Sequence, residues 1–114
     1  MYKRQVFGCG GERDKEKRPI MGKIANKLCN YIYLTDDNPR SENPENIRAS
    51  IKKSILQSKM IEIPSRKLAI KKAILNSKSD EVLIIAGKGH EKIQIIKNRK
   101  LSFDDFKIVK GFIS

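Results

Sequence analysis

The tetrapeptide Asp37-Asn38-Pro39-Arg40 combines residue types suited to gripping a carboxylate. Asp and Asn favour turns and Pro fixes φ, so Arg40 is carried on a stiff bend. Its guanidinium is a planar fork that can pair a carboxylate through two parallel hydrogen bonds. The apolar run Tyr31-Ile32-Tyr33-Leu34 just before it reads as a buried strand, and Asn43-Pro44 signals a helix start just after it. The turn therefore falls at the carboxyl end of a strand, where open α/β sheets collect their ligands. Taken alone, the same four residues also describe an ordinary solvated turn.

Two further segments separate these alternatives. Val6 to Gly22 reads VFGCGGERDKEKRPIMG, and Val82 to Glu91 reads VLIIAGKGHE. Together with TDDNPR, and in this order, they resemble the C-terminal domain of the Mur ligases, from about Val6 to Phe106. The resemblance implies one part of a three-domain, ATP-driven machine. In that family the first domain binds the UDP-sugar nucleotide and the second holds ATP and Mg in a phosphate loop. The third brings in an amino acid, whose amine attacks an acyl phosphate to form an amide. The domain of the family starts one strand and one helix earlier. Residues 1–114 are therefore expected to be a single amino-acid-binding domain without its first strand and helix, inactive by itself.

The resemblance also implies the amino acid. It is meso-diaminopimelate, a lysine with a second carboxylate at its far carbon, added to UDP-N-acetylmuramoyl-dipeptide. Arg40 matches the residue that clamps that far carboxylate, and Asn38 a polar contact to the same end. Asp37 and Pro39 complete the turn. Arg13 matches a second cation facing the substrate's carboxylates, Gly87 a close backbone approach, and Glu91 the partner of an ammonium group. Read singly, Arg13 and Glu91 are ordinary surface charges and Gly87 an ordinary turn residue. Their joint occurrence in loops expected at one end of a sheet lifts them, because two Arg and one Glu match a doubly zwitterionic ligand. Lys88 and His90 fit the same segment and carry no catalytic role. Ala86-Gly87-Lys88-Gly89-His90 lacks the spacing and the hydroxyl of a phosphate loop, so ATP is expected to be held elsewhere. No metal-ligand spacing is present.

Composition sets the outer bounds. The chain has 114 residues, 39% of them hydrophobic, enough for one small domain. No apolar run approaches the roughly 20 residues of a membrane span, and no signal-like start is seen, so a cytoplasmic location is expected. The net charge of +12 would ordinarily suggest nucleic acid or an anionic surface. However, 18 of the 25 basic residues are Lys, spread over every segment, with no aromatic interleaving for base stacking. A small basic module binding anions or RNA, or a gene remnant without function, are the competing readings. Cys9 and Cys29 are expected to be free thiols, with a disulfide between them left open by the sequence.

Periodicity supplies the supports. Strands are expected at Arg4–Phe7, Tyr31–Thr35, Met60–Ile63 and Val82–Ala86, the last of them central. Ile20, Ile24 and Leu28 recur at the spacing of an amphipathic helix, as do Ile47, Ile51 and Ile55. A third helix is expected over about Ser65–Asn76, using Leu68, Ala69, Ala73 and Ile74. Ile93–Ile96 and Leu101–Phe103 bracket a hairpin at Asn98-Arg99, and a last helix should start near Asp104. The fold class is α/β: a Rossmann-like, mostly parallel sheet flanked by helices, with an antiparallel hairpin near the C-terminus.

Overall fold

The computed structural model describes residues 2–9, 15–37, 41–86, 93–96 and 99–102. The chain runs β1 (Lys3–Phe7), α1 (Lys17–Leu28), β2 (Tyr31–Leu34), α2 (Pro44–Lys52), β3 (Met60–Glu62), α3 (Arg66–Asn76), β4 (Val82–Ile85), β5 (Ile93–Ile96) and β6 (Arg99–Ser102), with a short 3-10 turn at Gln57–Lys59. The six strands form one sheet in the order β3-β2-β1-β4-β6-β5. All neighbours are parallel except β5 and β6, which pair antiparallel. The α/β fold class and the hairpin are as the sequence predicts. Arg99 opens strand β6 opposite Ile96 instead of sitting in the turn. The helix expected near Asp104 lies outside the described residues.

Parallel strands expose both faces to helices, so alternate side chains must feed two cores. Val6, Tyr33, Leu83 and Ile85 pack with Ala69, Ile70, Ala73 and Ile74 of α3. Phe7, Ile32 and Leu34 point the other way, onto Ala25 and Cys29 at the end of α1 and onto Ile47, Ile51 and Ile55 of the α2 region. Asn43 and Ser65 cap α2 and α3, accepting from the backbone N–H of Glu45 and Leu68.

Two helices bury a different face from the one their large apolar residues mark. In α1 the inward residues are Arg18, Gly22 and Ala25, while Ile20, Ile24 and Leu28 stand more than half exposed. The reason is the closeness of α2. A Cβ on Gly22 would lie 2.3 Å from the Ile51 carbonyl oxygen, so only a small-residue stripe fits this contact. In α3, Leu68 is exposed and Ile70 takes the expected core place beside Ala69, Ala73 and Ile74. The Ile47, Ile51 and Ile55 stripe is buried as expected, although Ile55 follows the end of α2.

Candidate functional site

The strands β1, β2 and β4 end side by side. Phe7 is in register with Leu34, and Val6 with Ile85. The backbone carries the match one residue further: Thr35 N–H donates to Phe7 O at 3.0 Å and Ala86 N–H to Val6 O at 2.9 Å. The three segments that hold the sequence motifs therefore leave the sheet together, at the carboxyl ends of three adjacent parallel strands. This is the ligand end of an open α/β sheet.

The exits of β1 and β2 touch. A Cβ at Gly8 would meet the Thr35 carbonyl oxygen at 2.2 Å and the Asp37 nitrogen at 3.1 Å. Glycine is required here because the backbone of the next loop occupies the space of a side chain. Thr35 Oγ1 donates to Pro64 O at 3.0 Å, which ties the β2 exit to the end of β3 as well.

Of the seven residues singled out from sequence, Asp37 lies among the described ones. It is buried at the start of the turn. Arg13, Asn38, Pro39, Arg40, Gly87 and Glu91 lie outside the described residues. The termini of the segments that carry them are brought together by the register of β1, β2 and β4.

Around these exits stand charged residues to which the sequence reading gave no role. Arg48 of α2 donates through Nε to Glu62 Oε2 at 2.6 Å and through Nη1 to Asp36 Oδ1. Lys52 Nζ reaches the other Glu62 oxygen at 2.9 Å. The Lys52 bond and then the Arg48 bond hold the Glu62 carboxyl below the usual glutamate range, against the opposing effect of burial. Burial works against the Arg48 charge, and its bonds to Glu62 and Asp36 outweigh it, so its pKa moves up. Arg18 of α1 grips Glu42 with both terminal nitrogens, at 2.6 and 2.9 Å. Arg66, in the first turn of α3, donates to Ala86 O at 2.9 Å, at the end of β4. These partners are far apart in sequence, so no local spacing could have disclosed them.

Cys9 and Cys29 form no disulfide with each other. Cys9 Sγ lies 3.5 Å from Met21 Sδ, and Cys29 Sγ donates to Gln5 Oε1 at 3.0 Å. Burial pushes the Cys29 thiol up, which keeps it protonated. No helix among the described residues is long and apolar enough to cross a membrane.

Comparison with known proteins agrees with this geometry. Residues 3–89 match the family described as Mur ligase, glutamate ligase domain. The chain belongs to the Mur ligases and corresponds to their C-terminal domain. It is similar to UDP-N-acetylmuramoyl-L-alanyl-D-glutamate--2,6-diaminopimelate ligase 1 of Clostridium acetobutylicum, 52% identical over 95% of this chain and 22% of the relative. The ligase of the same name, without the number, from Rickettsia prowazekii is 53% identical over the same shares. A solved structure titled as a UDP-N-acetylmuramoyl-L-alanyl-D-glutamate--2,6-diaminopimelate ligase superposes with a TM-score of 0.80 at 43% identity, covering 98% of this chain and 23% of that one. The chain thus spans about a fifth of the length of the relatives it matches, 22% in the first two.

Proposed function

We propose that this chain is the amino-acid-binding domain of a ligase that adds meso-diaminopimelate to UDP-N-acetylmuramoyl-L-alanyl-D-glutamate during peptidoglycan synthesis in the cytoplasm. The observation that carries the reading is the shared exit of β1, β2 and β4, from which the GERD, DNPR and GKGHE segments all depart. Residues carried on segments that start this close together could meet a single small ligand. Arg40 would clamp the distal carboxylate, Asn38 would contact the same end, and Asp37 and Pro39 would shape the turn. Arg13 would face a carboxylate, Gly87 would admit the ligand to the backbone, and Glu91 would pair with an ammonium group.

Specificity follows from charge. Lysine lacks the distal carboxylate, so its binding would leave the Arg40 guanidinium desolvated and unpaired. A site built around such a pair rejects the analogue that lacks one partner. ATP and Mg would be held by the other domains of the ligase, and the acyl phosphate of the UDP-linked dipeptide would be delivered to the amine bound here. The domain would contribute binding and orientation, with no acid or base of its own in the chemical step.

A basic nucleic-acid module is the weaker reading. Lys23 and Lys27 lie exposed on α1, and Lys71 and Lys72 lie exposed on α3 across the sheet. A charge spread over both faces does not make the one-sided patch that a phosphate backbone requires.

The test joins this chain to the nucleotide-binding and central domains of a close relative and measures ligation of meso-diaminopimelate and of lysine. The joined protein should use diaminopimelate, and Arg40→Ala should lower its kcat/KM by about a hundredfold or more, the order of cost of an unpaired buried charge. Retention of the preference for diaminopimelate over lysine in Arg40→Ala would sink the assignment.

A further inference from the structure

On the face of the sheet that carries α1 and α2, a groove runs along β1 and β4. Gln5 and Phe7 of β1 line it beside Val82 and Ile84 of β4, and it reaches Lys3, the first residue of β1. One wall is α1, through Ile24 and Leu28, which remain 51% and 58% exposed. Single exposed apolar residues are ordinary, but a stripe of them facing half-buried strand residues marks a surface built to be covered. The connections of the sheet say what kind of element fits. α1 joins β1 to β2 and α2 joins β2 to β3, two steps in one direction across the sheet, and both pack on the groove's face. α3 joins β3 to β4, a step in the opposite direction, and packs on the other face. Parallel crossovers are right-handed, and these three obey the rule. A strand on the β4 side of β1 that crossed over to β1 would step the same way as β1 to β2. Its helix would then lie on the groove's face, over β1 and β4, and end near Lys3.

We propose that this groove receives an amphipathic helix from the part of the ligase that precedes this domain, the crossover that leads into β1. The inference rests on the family membership and not on which amino acid is bound. The relatives supply the length, since this chain covers 22% of them, as their C-terminal domain. From Lys3 to Phe7 the groove spans about 13 Å at the rise of a strand, which about nine residues of helix match. The occupant would lay aliphatic side chains against Ile24, Leu28, Val82 and Ile84. Its flanks would be acidic, because Lys3 lines the groove and Lys23 and Lys27 stand exposed on α1. A second copy of this chain is a poor occupant, because a net charge of +12 opposes self-association.

The experiment compares the whole chain with an extended one. The extension is the stretch of about 30 residues, enough for a strand and a crossover helix, that precedes the matched portion of the Clostridium acetobutylicum relative, joined ahead of Met1. Amide hydrogen exchange and urea denaturation are read on both. In the extended chain, exchange over Ile24–Leu28 should slow by about tenfold or more, and the urea midpoint should rise. Leu28→Glu should abolish that rise while leaving the midpoint of the unextended chain unchanged. Leu68→Glu, exposed on α3 across the sheet, should leave the rise intact. Equal α1 exchange in the two chains, or a Leu28→Glu loss of the same size in both, overturns the proposal. So does slow α1 exchange in the unextended chain, which would show the groove filled by the chain itself, or by a second copy where sedimentation finds a dimer. Should the extended chain fail to fold, the same residues are titrated into the unextended chain as a separate peptide. Shifts in the methyl signals of Ile24 and Leu28 then uphold the proposal, and their absence overturns it.

Discussion

The described residues cover the two faces of the sheet to different extents. Under α3, Val6, Tyr33, Leu83 and Ile85 are fully buried against Ala69, Ile70 and Ala73. On the opposite face α1 and α2 cover Phe7, Ile32 and Leu34, and among the described residues the cover stops there. Beside them lies an open groove of about 450 Å³, lined by Gln5, Phe7, Ile24, Leu28, Val82 and Ile84 among others. Strand β4 shows the contrast in consecutive residues. Leu83 and Ile85 are buried, whereas Val82 and Ile84 are only half-buried. An unbroken apolar run thus marks a strand that can be buried on both faces, and says nothing about how much of each face is filled.

The largest expected effect sets one face against the other. Ile70→Ala, in the filled core, should lower unfolding stability by about 2–5 kcal/mol, the range for truncating a buried aliphatic side chain. Leu28→Ala, on the exposed stripe of α1, should change it by about 0.5 kcal/mol or less. Urea denaturation of the two variants measures both. Equal losses would show that the α1 stripe is buried in solution and would erase the comparison.

The next effect probes why α1 turns its small residues inward. Gly22→Ala places a methyl where the Ile51 carbonyl now sits, so α1 must move away from α2. Overpacking of this kind costs about 1–3 kcal/mol, although Ala in an exposed helix would favour the helix by up to about 1 kcal/mol. A lowered thermal midpoint is the expected outcome. A raised one would mean that the helices are not in contact at this point.

The smallest effect concerns the ionic margin of the same face. The Glu62 carboxyl is held below its ordinary range in the folded protein by Lys52 and Arg48. A depressed folded pKa gives stability that is present above the unfolded glutamate value, about 4.3, and lost as pH falls through the folded value. The parent should therefore exceed Glu62→Gln by about 1 kcal/mol or less at neutral pH. That margin should shrink as the pH is lowered below about 4. A gap that stays constant with pH would show that the pairing is not what Glu62 contributes.

Much of the architecture was legible in the chain. Each described strand and helix falls within a few residues of where periodicity and capping residues put it, because those signals are local. The order of the three motifs was enough to point to the family. The buried side of α1 was not legible: Ile20, Ile24 and Leu28 make the stronger hydrophobic stripe, and the winning side holds Arg18, Gly22 and Ala25. The charged surroundings of the candidate site were hidden as well. Arg18 and Glu42 lie 24 residues apart, and Arg66 and Ala86 lie 20 apart.

By itself, then, the sequence determined which segments become strands and helices and which loops carry the ligand-gripping residue types, since backbone conformation answers to near neighbours. Only the tertiary structure decided that β1, β2 and β4 end side by side, that α1 packs through glycine and alanine, and that Arg18 and Arg48 find Glu42 and Asp36. Each of these depends on the register between distant strands and on the separation of two helices, quantities that no stretch of chain contains alone.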